Sequence, residues 1–154
     1  MIDYPALCKE IEKTDAVGRR AALRRATARV FGALEEQGSI PAATDALAAL
    51  IVGCACEGGR ISEREYLYMY PALASVFGSG YDFSPVKASF HGLVSSQKFM
   101  RKEAAVVAKA AGAAGGDTAK DILRLCLLVS AAEDGRIPLH AKTYFRFQFA
   151  PYVS

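Results

Sequence analysis

The sequence predicts an all-α fold, a compact bundle of about seven to eight helices built from two pseudo-symmetric halves. Three observations predict it. Apolar residues recur mainly at helical rather than strand spacing. Alanine-rich segments punctuated by Gly and Pro dominate the chain, and alanine costs least in a helix. A seven-residue phrase occurs twice, ACEGGRI at 55–61 and AAEDGRI at 131–137, 76 positions apart.

Each half is expected to hold a short helix, a long one, a buried one and a final one. The long helix of the first half covers Asp15 to Gln37, where Leu23, Val30, Phe31 and Leu34, with Thr27 between them, line one face until Gly38 stops it. Pro41 opens the next, about Ala42 to Glu57, whose ALAALIVGCAC run is apolar all round and therefore buried. Ser62 begins a third, which Pro71 should kink or divide after Tyr70. Past the turn-rich GSGYDFSP, Ser84 caps a helix through Val94, and Gln97 to Ala113 forms another. Asp117 or Thr118 caps the buried helix Ala119 to Glu133, and Pro138 opens the last, through Phe149. FRFQF alternates as a strand would, but the repeat aligns it with MYPAL, so it is expected to be helical.

At 154 residues the chain suits one domain, 1–154, with the internal repeat at about 2–78 and 84–152. A domain of that length buries roughly two-thirds of its unfolded surface without staples. A net charge of +3 and 23% charged residues give an ordinary globular profile and argue against nucleic acid as a partner. Cys8, Cys54, Cys56 and Cys126 have neither C-x-x-C spacing nor disulfide density, and read as buried free thiols. The charge-free run Ala46–Cys56 is too short to span a bilayer, and the acidic N-terminus is no signal peptide, so no membrane insertion and a cytoplasmic location are expected.

The repeated phrase has a structural reading and a functional one. Gly59 with Ile61, and Gly135 with Ile137, supply a left-handed helix stop followed by an apolar residue that packs back on the last turn. Ser62 and Glu65 complete the first corner as a capping box. The functional reading starts from Glu57, Glu65, Glu133 and Asp134, carboxylates that could hold a hard divalent cation such as Ca or Mg. No cofactor is otherwise indicated.

The corner pattern, an acidic pair before Gly-x-Ile in AAEDGRI and its echo ACEGGRI with Glu65 in the following helix, resembles the TerB-like tellurite-resistance family. It is also similar to the N-terminal domain of a membrane-anchored DnaJ-type co-chaperone. The resemblance covers both corners and most of the chain. It implies an all-helical bundle of two related halves, divalent-metal binding by paired acids, and a stress-response setting. The match departs from the family's A-D-G-x-[IV]-x-x-x-E in each copy: Gly58 stands at the Asp position of the first, and Ala141 at the Glu position of the second.

Arg19, Arg20, Arg24, Arg25 and Arg29 lie on the long helix with no acid between Ala16 and Leu34. Such a run reads as a solvated face, with Arg20, Arg24 and Arg25 the candidates for an acidic partner or nucleic acid. His91 and His140 lack metal-ligand spacing, and Ser95-x-x-Lys98 lacks the companion motifs of an acyl-enzyme site. Tyr66, Tyr68, Tyr70, Tyr81, Phe83, Tyr144, Phe145, Phe147, Phe149 and Tyr152 are expected to pack in the core, any exposed surplus marking a partner or homodimer surface. The expectation is a TerB-like binding or scaffold module with a protein partner and no catalytic residues, the alternatives being a metal-binding protein or an acidic-partner binder acting through Arg19–Arg29.

Overall fold

Asp3 accepts a hydrogen bond from the Ala6 amide at 3.0 Å and so starts the first helix, α1, Tyr4–Lys13. Asp15 does the same for α2, Ala16–Glu36, through the Gly18 amide at 2.7 Å. The computed structural model describes residues 1–36, 40–54, 56–57, 60–61, 63–84, 106–107 and 117–154. Within them follow α3 (Ile40–Gly53), a two-rung antiparallel hairpin of β1 (Cys56–Glu57) and β2 (Arg60–Ile61), and α4 (Glu63–Phe77). After these come α5 (Thr118–Ser130), α6 (Leu139–Gln148) and a 3-10 turn at Ala150–Tyr152.

The all-α expectation holds in outline, with six α-helices among the described residues rather than seven to eight. The helices expected at 84–94 and 97–113 lie outside those residues apart from Ser84, Val106 and Val107. Three boundaries need correction. The helix expected to reach Glu57 ends at Gly53, and its last expected residues enter the hairpin. The helix expected to reach Glu133 ends at Ser130. Pro71 does not divide α4: it sits at an exposed position, and the carbonyl its missing N–H leaves free belongs to the exposed Leu67, where water can satisfy it. Asp117 occupies the cap position of α5 but makes no side-chain capping bond. FRFQF is helical through Gln148, as the repeat requires.

The core forms around α5, which packs against every other helix of the described residues and most extensively against α2. Ile122, Leu123, Leu125, Cys126 and Leu127 are fully buried there, as are Ala46 through Ile51 on α3. Both segments read as buried from composition are therefore interior. From α2, Ala26, Val30 and Leu34 enter the core, while Leu23, Thr27 and Phe31 of the expected stripe are half-buried. Phe145 of α6 and Phe149 at its C-cap fill the core, and Phe31, Tyr70, Phe77, Tyr81 and Phe83 form an aromatic network around the C-terminal part of α4. Cys8, Cys54 and Cys126 are buried, and burial pushes the Cys8 and Cys126 thiols above the usual thiol range.

The N-terminal helix crosses to the far half of the sequence. The Tyr4 hydroxyl donates to the Lys142 carbonyl at 2.6 Å, Glu12 pairs with Lys142 at 2.5 Å and Glu10 with Arg124 at 3.4 Å. The Ile2 amide donates to the Tyr152 carbonyl at 2.8 Å, and Ile2 bridges Val153 in parallel. No helix among the described residues is long and apolar enough to cross a membrane.

Candidate functional site

The second corner is a complete structural device. Beyond α5, the Gly135 amide donates to the Ala131 carbonyl at 3.0 Å, closing one extra turn, and Gly135 adopts φ +80°. A side chain is strained in that conformation and would also meet the Arg19 guanidinium, which lies 2.5 Å from where a Cβ would stand. Arg19 is fixed there by donating to the Thr14 carbonyl at 2.6 Å. Ile137 then buries against the bundle, 4% exposed, as a residue following a helix stop should.

The acids proposed as metal ligands are not brought together by what is described. Asp134 spends one carboxylate oxygen on the Arg136 amide at 2.9 Å, a bond that closes the turn two residues on. Glu133 is exposed, and Ala141, at the family's Glu position, is buried at 1% exposure. The side chains of Glu57 and Glu65, and Ser62 of the expected capping box, lie outside the described residues. Among the described residues no group of three or more His, Cys, Asp or Glu side chains could hold a metal ion.

Between the corners lies a cleft of about 70 Å³, lined by Cys54, Tyr68, Met69, Glu133 and His140 among others. Its volume suits a few water molecules rather than an organic substrate. At its base the Cys54 sulfur and the Ser130 hydroxyl are 3.6 Å apart, and that hydroxyl also bonds the Cys126 carbonyl at 3.0 Å. On its rim Arg64 donates to the Tyr68 hydroxyl at 3.1 Å and stacks over the same ring. His140 is exposed, while His91, Ser95 and Lys98 lie outside the described residues.

The arginine run on α2 divides into two groups. Arg19 is consumed in holding Gly135, and Arg29 pairs with Asp121 at 3.0 Å, whose side chain is 12% exposed. Arg20, Arg24 and Arg25 are exposed and form no ion pair among the described residues; Arg20 makes only a long bond, 3.4 Å, to the Ala16 carbonyl of its own helix. Arg20 and Arg24 stand one turn apart over a trough between α2 and α4, lined by Val17, Leu23, Pro71, Ala72, Ser75 and Leu128. Arg25 faces the other flank, beside Glu10, Arg29, Asp121 and Arg124. Sequence periodicity identified these arginines but could not identify the trough, because α4 and α5 supply most of its floor and one wall.

Compared with family models, with curated proteins and with solved structures, the chain shows no match in any of the three.

Proposed function

We propose that the chain is a non-catalytic binding or scaffold module with a duplicated, TerB-like helical fold, and that the arginine face of α2 is its contact surface. The observation that carries the reading is the division of that face: two arginines are committed to intramolecular partners, while Arg20, Arg24 and Arg25 are exposed and form no ion pair among the described residues. Exposed guanidinium forks on a helix are suited to carboxylates and other oxyanions.

Several positions support duplication. Leu139, where α6 begins, is 76 positions beyond Glu63, where α4 begins. Cys54 and Ser130, whose side chains meet, are separated by the same interval, as expected of equivalent residues flanking a twofold axis. Leu47 and Leu123 are likewise equivalent and fully buried. The stress-response setting rests on the TerB-like resemblance of the corners alone. The metal-binding alternative gains no support from Asp134, which is engaged in its own turn.

Retention on immobilised heparin tests the contact face. The unmodified protein should be retained, and Arg20→Glu/Arg24→Glu should elute at distinctly lower salt with an unchanged thermal midpoint. Equal retention of the two proteins would make the arginine face merely solvated. Calorimetric titration with calcium and magnesium should give no heat, and saturable heat with thermal stabilisation would restore the metal reading.

A further inference from the structure

We infer that the trough between α2 and α4 docks an acidic peptide segment with an apolar anchor, its carboxylates on Arg20 and Arg24 and its anchor over Leu23 and Leu128. The inference rests on the proposed role of the α2 face and names the partner that face would take. Two adjoining depressions, about 240 Å³ and 430 Å³, share Arg20, Leu23 and Ser75 and so form one continuous groove. Leu23, Ala72 and Leu128 give it an apolar floor, and Val17, 70% exposed, extends the apolar surface at one end.

Charge complementarity selects the occupant. Among the described residues Arg19, Arg20 and Arg24 border the groove and no Asp or Glu does. Arg20 and Arg24 are separated along the axis by one helical turn, roughly 6 Å, which two carboxylates of one short segment can match. An aliphatic or aromatic side chain seated on the floor would exclude water from the ion pairs beside it and strengthen them. Nucleic acid is the poorer fit, because an apolar floor gives nothing to a phosphate backbone and the cations on this rim are few.

The probe is a fluorescein-labelled peptide alternating glutamate and leucine, measured by fluorescence anisotropy against the intact protein. Counterparts have serine in place of leucine or lysine in place of glutamate, and labelled single-stranded DNA is a separate probe. The glutamate–leucine peptide should bind saturably, and Arg20→Glu/Arg24→Glu should weaken it by about tenfold or more. Ser75→Trp, which fills the groove at an exposed position and leaves both arginines in place, should abolish peptide binding while heparin retention persists.

Equal binding of the serine peptide, or no effect of Ser75→Trp, overturns the groove and leaves the charged contact face intact. DNA binding without peptide binding overturns the choice of partner. Failure to bind the peptide, DNA and heparin alike overturns both this inference and the binding role beneath it.

Discussion

Residues 56–57 and 60–61 pair as a two-rung hairpin, whereas 131–137, with the same Glu, Gly, Arg and Ile, make an extra helical turn and a glycine stop. Within the phrase the copies differ at Cys56 against Ala132 and at Gly58 against Asp134. The second difference bears directly on how the second turn closes. A carboxylate two residues ahead of an amide can close the turn onto itself, and Asp134 does so, while glycine offers no such acceptor. The two nearly identical segments thus turn differently between helices that begin and end at almost equivalent positions. An acid in a recurrent motif is also no proof of a ligand site, since turn closure uses the same oxygen.

The most severe way to break the comparison is to empty equivalent places in the core. Leu47→Ala and Leu123→Ala should each cost ~2–5 kcal/mol in urea unfolding, because both side chains are fully buried. Values differing by more than about 1.5 kcal/mol would mean that the two halves pack unequally. Next in size, Gly135→Ala should cost about 1–3 kcal/mol, combining strain at positive φ with the clash against Arg19. Repeating it on an Arg19→Ala background should recover the clash and leave the strain; full additivity of the two changes would show that Arg19 gives way at no cost.

Alkaline titration compares a phenol on α1 with one in the segment that follows α4. Tyr4 and Tyr81 have their ionisation pushed upward, first by burial and, for Tyr81, next by its hydroxyl donating to Asp45 at 2.5 Å. Since the folded pKa exceeds the unfolded one, this stabilisation is complete below about pH 10 and is lost as pH rises through the raised values. The Tyr4→Phe/Tyr81→Phe protein should lose stability less steeply above that pH, as read by circular dichroism; parallel alkaline limbs would exclude these phenols as the cause. The smallest effect concerns the corner itself. Asp134→Ala should cost roughly 0.5–1 kcal/mol and Asp134→Asn almost nothing, because the amide oxygen can still accept from Arg136. A large loss with Asn would point to a role for the charge.

Much of the helical plan was legible because it is local. The apolar runs on α3 and α5, the Pro138 start of α6, the glycine stop at Gly135 and the buried Ile137 all follow from spacing and backbone chemistry. What was not legible depends on partners distant in sequence. Nothing near Arg19 signals that it will cover Gly135, and nothing near Arg29 signals Asp121, so a run of five similar arginines could not be divided by inspection. The hairpin escaped notice because two residues per strand carry no periodicity. The trough escaped because it exists only where three helices meet.

The crossing of α1 bears on the order in which the chain can fold during synthesis. With its flanking Ile2 this helix pairs with Arg124, Lys142, Tyr152 and Val153, so α1 cannot dock fully until the residues of α5, α6 and the 3-10 turn have been synthesised. Until then its apolar residues Leu7 and Ile11 have no core to enter, which gives a chaperone time to bind this segment. A circular permutant joining Val153 to Ile2 through a short linker, and opened at the exposed Gly78–Gly80 turn, would place α1 directly after its partners and shorten that wait.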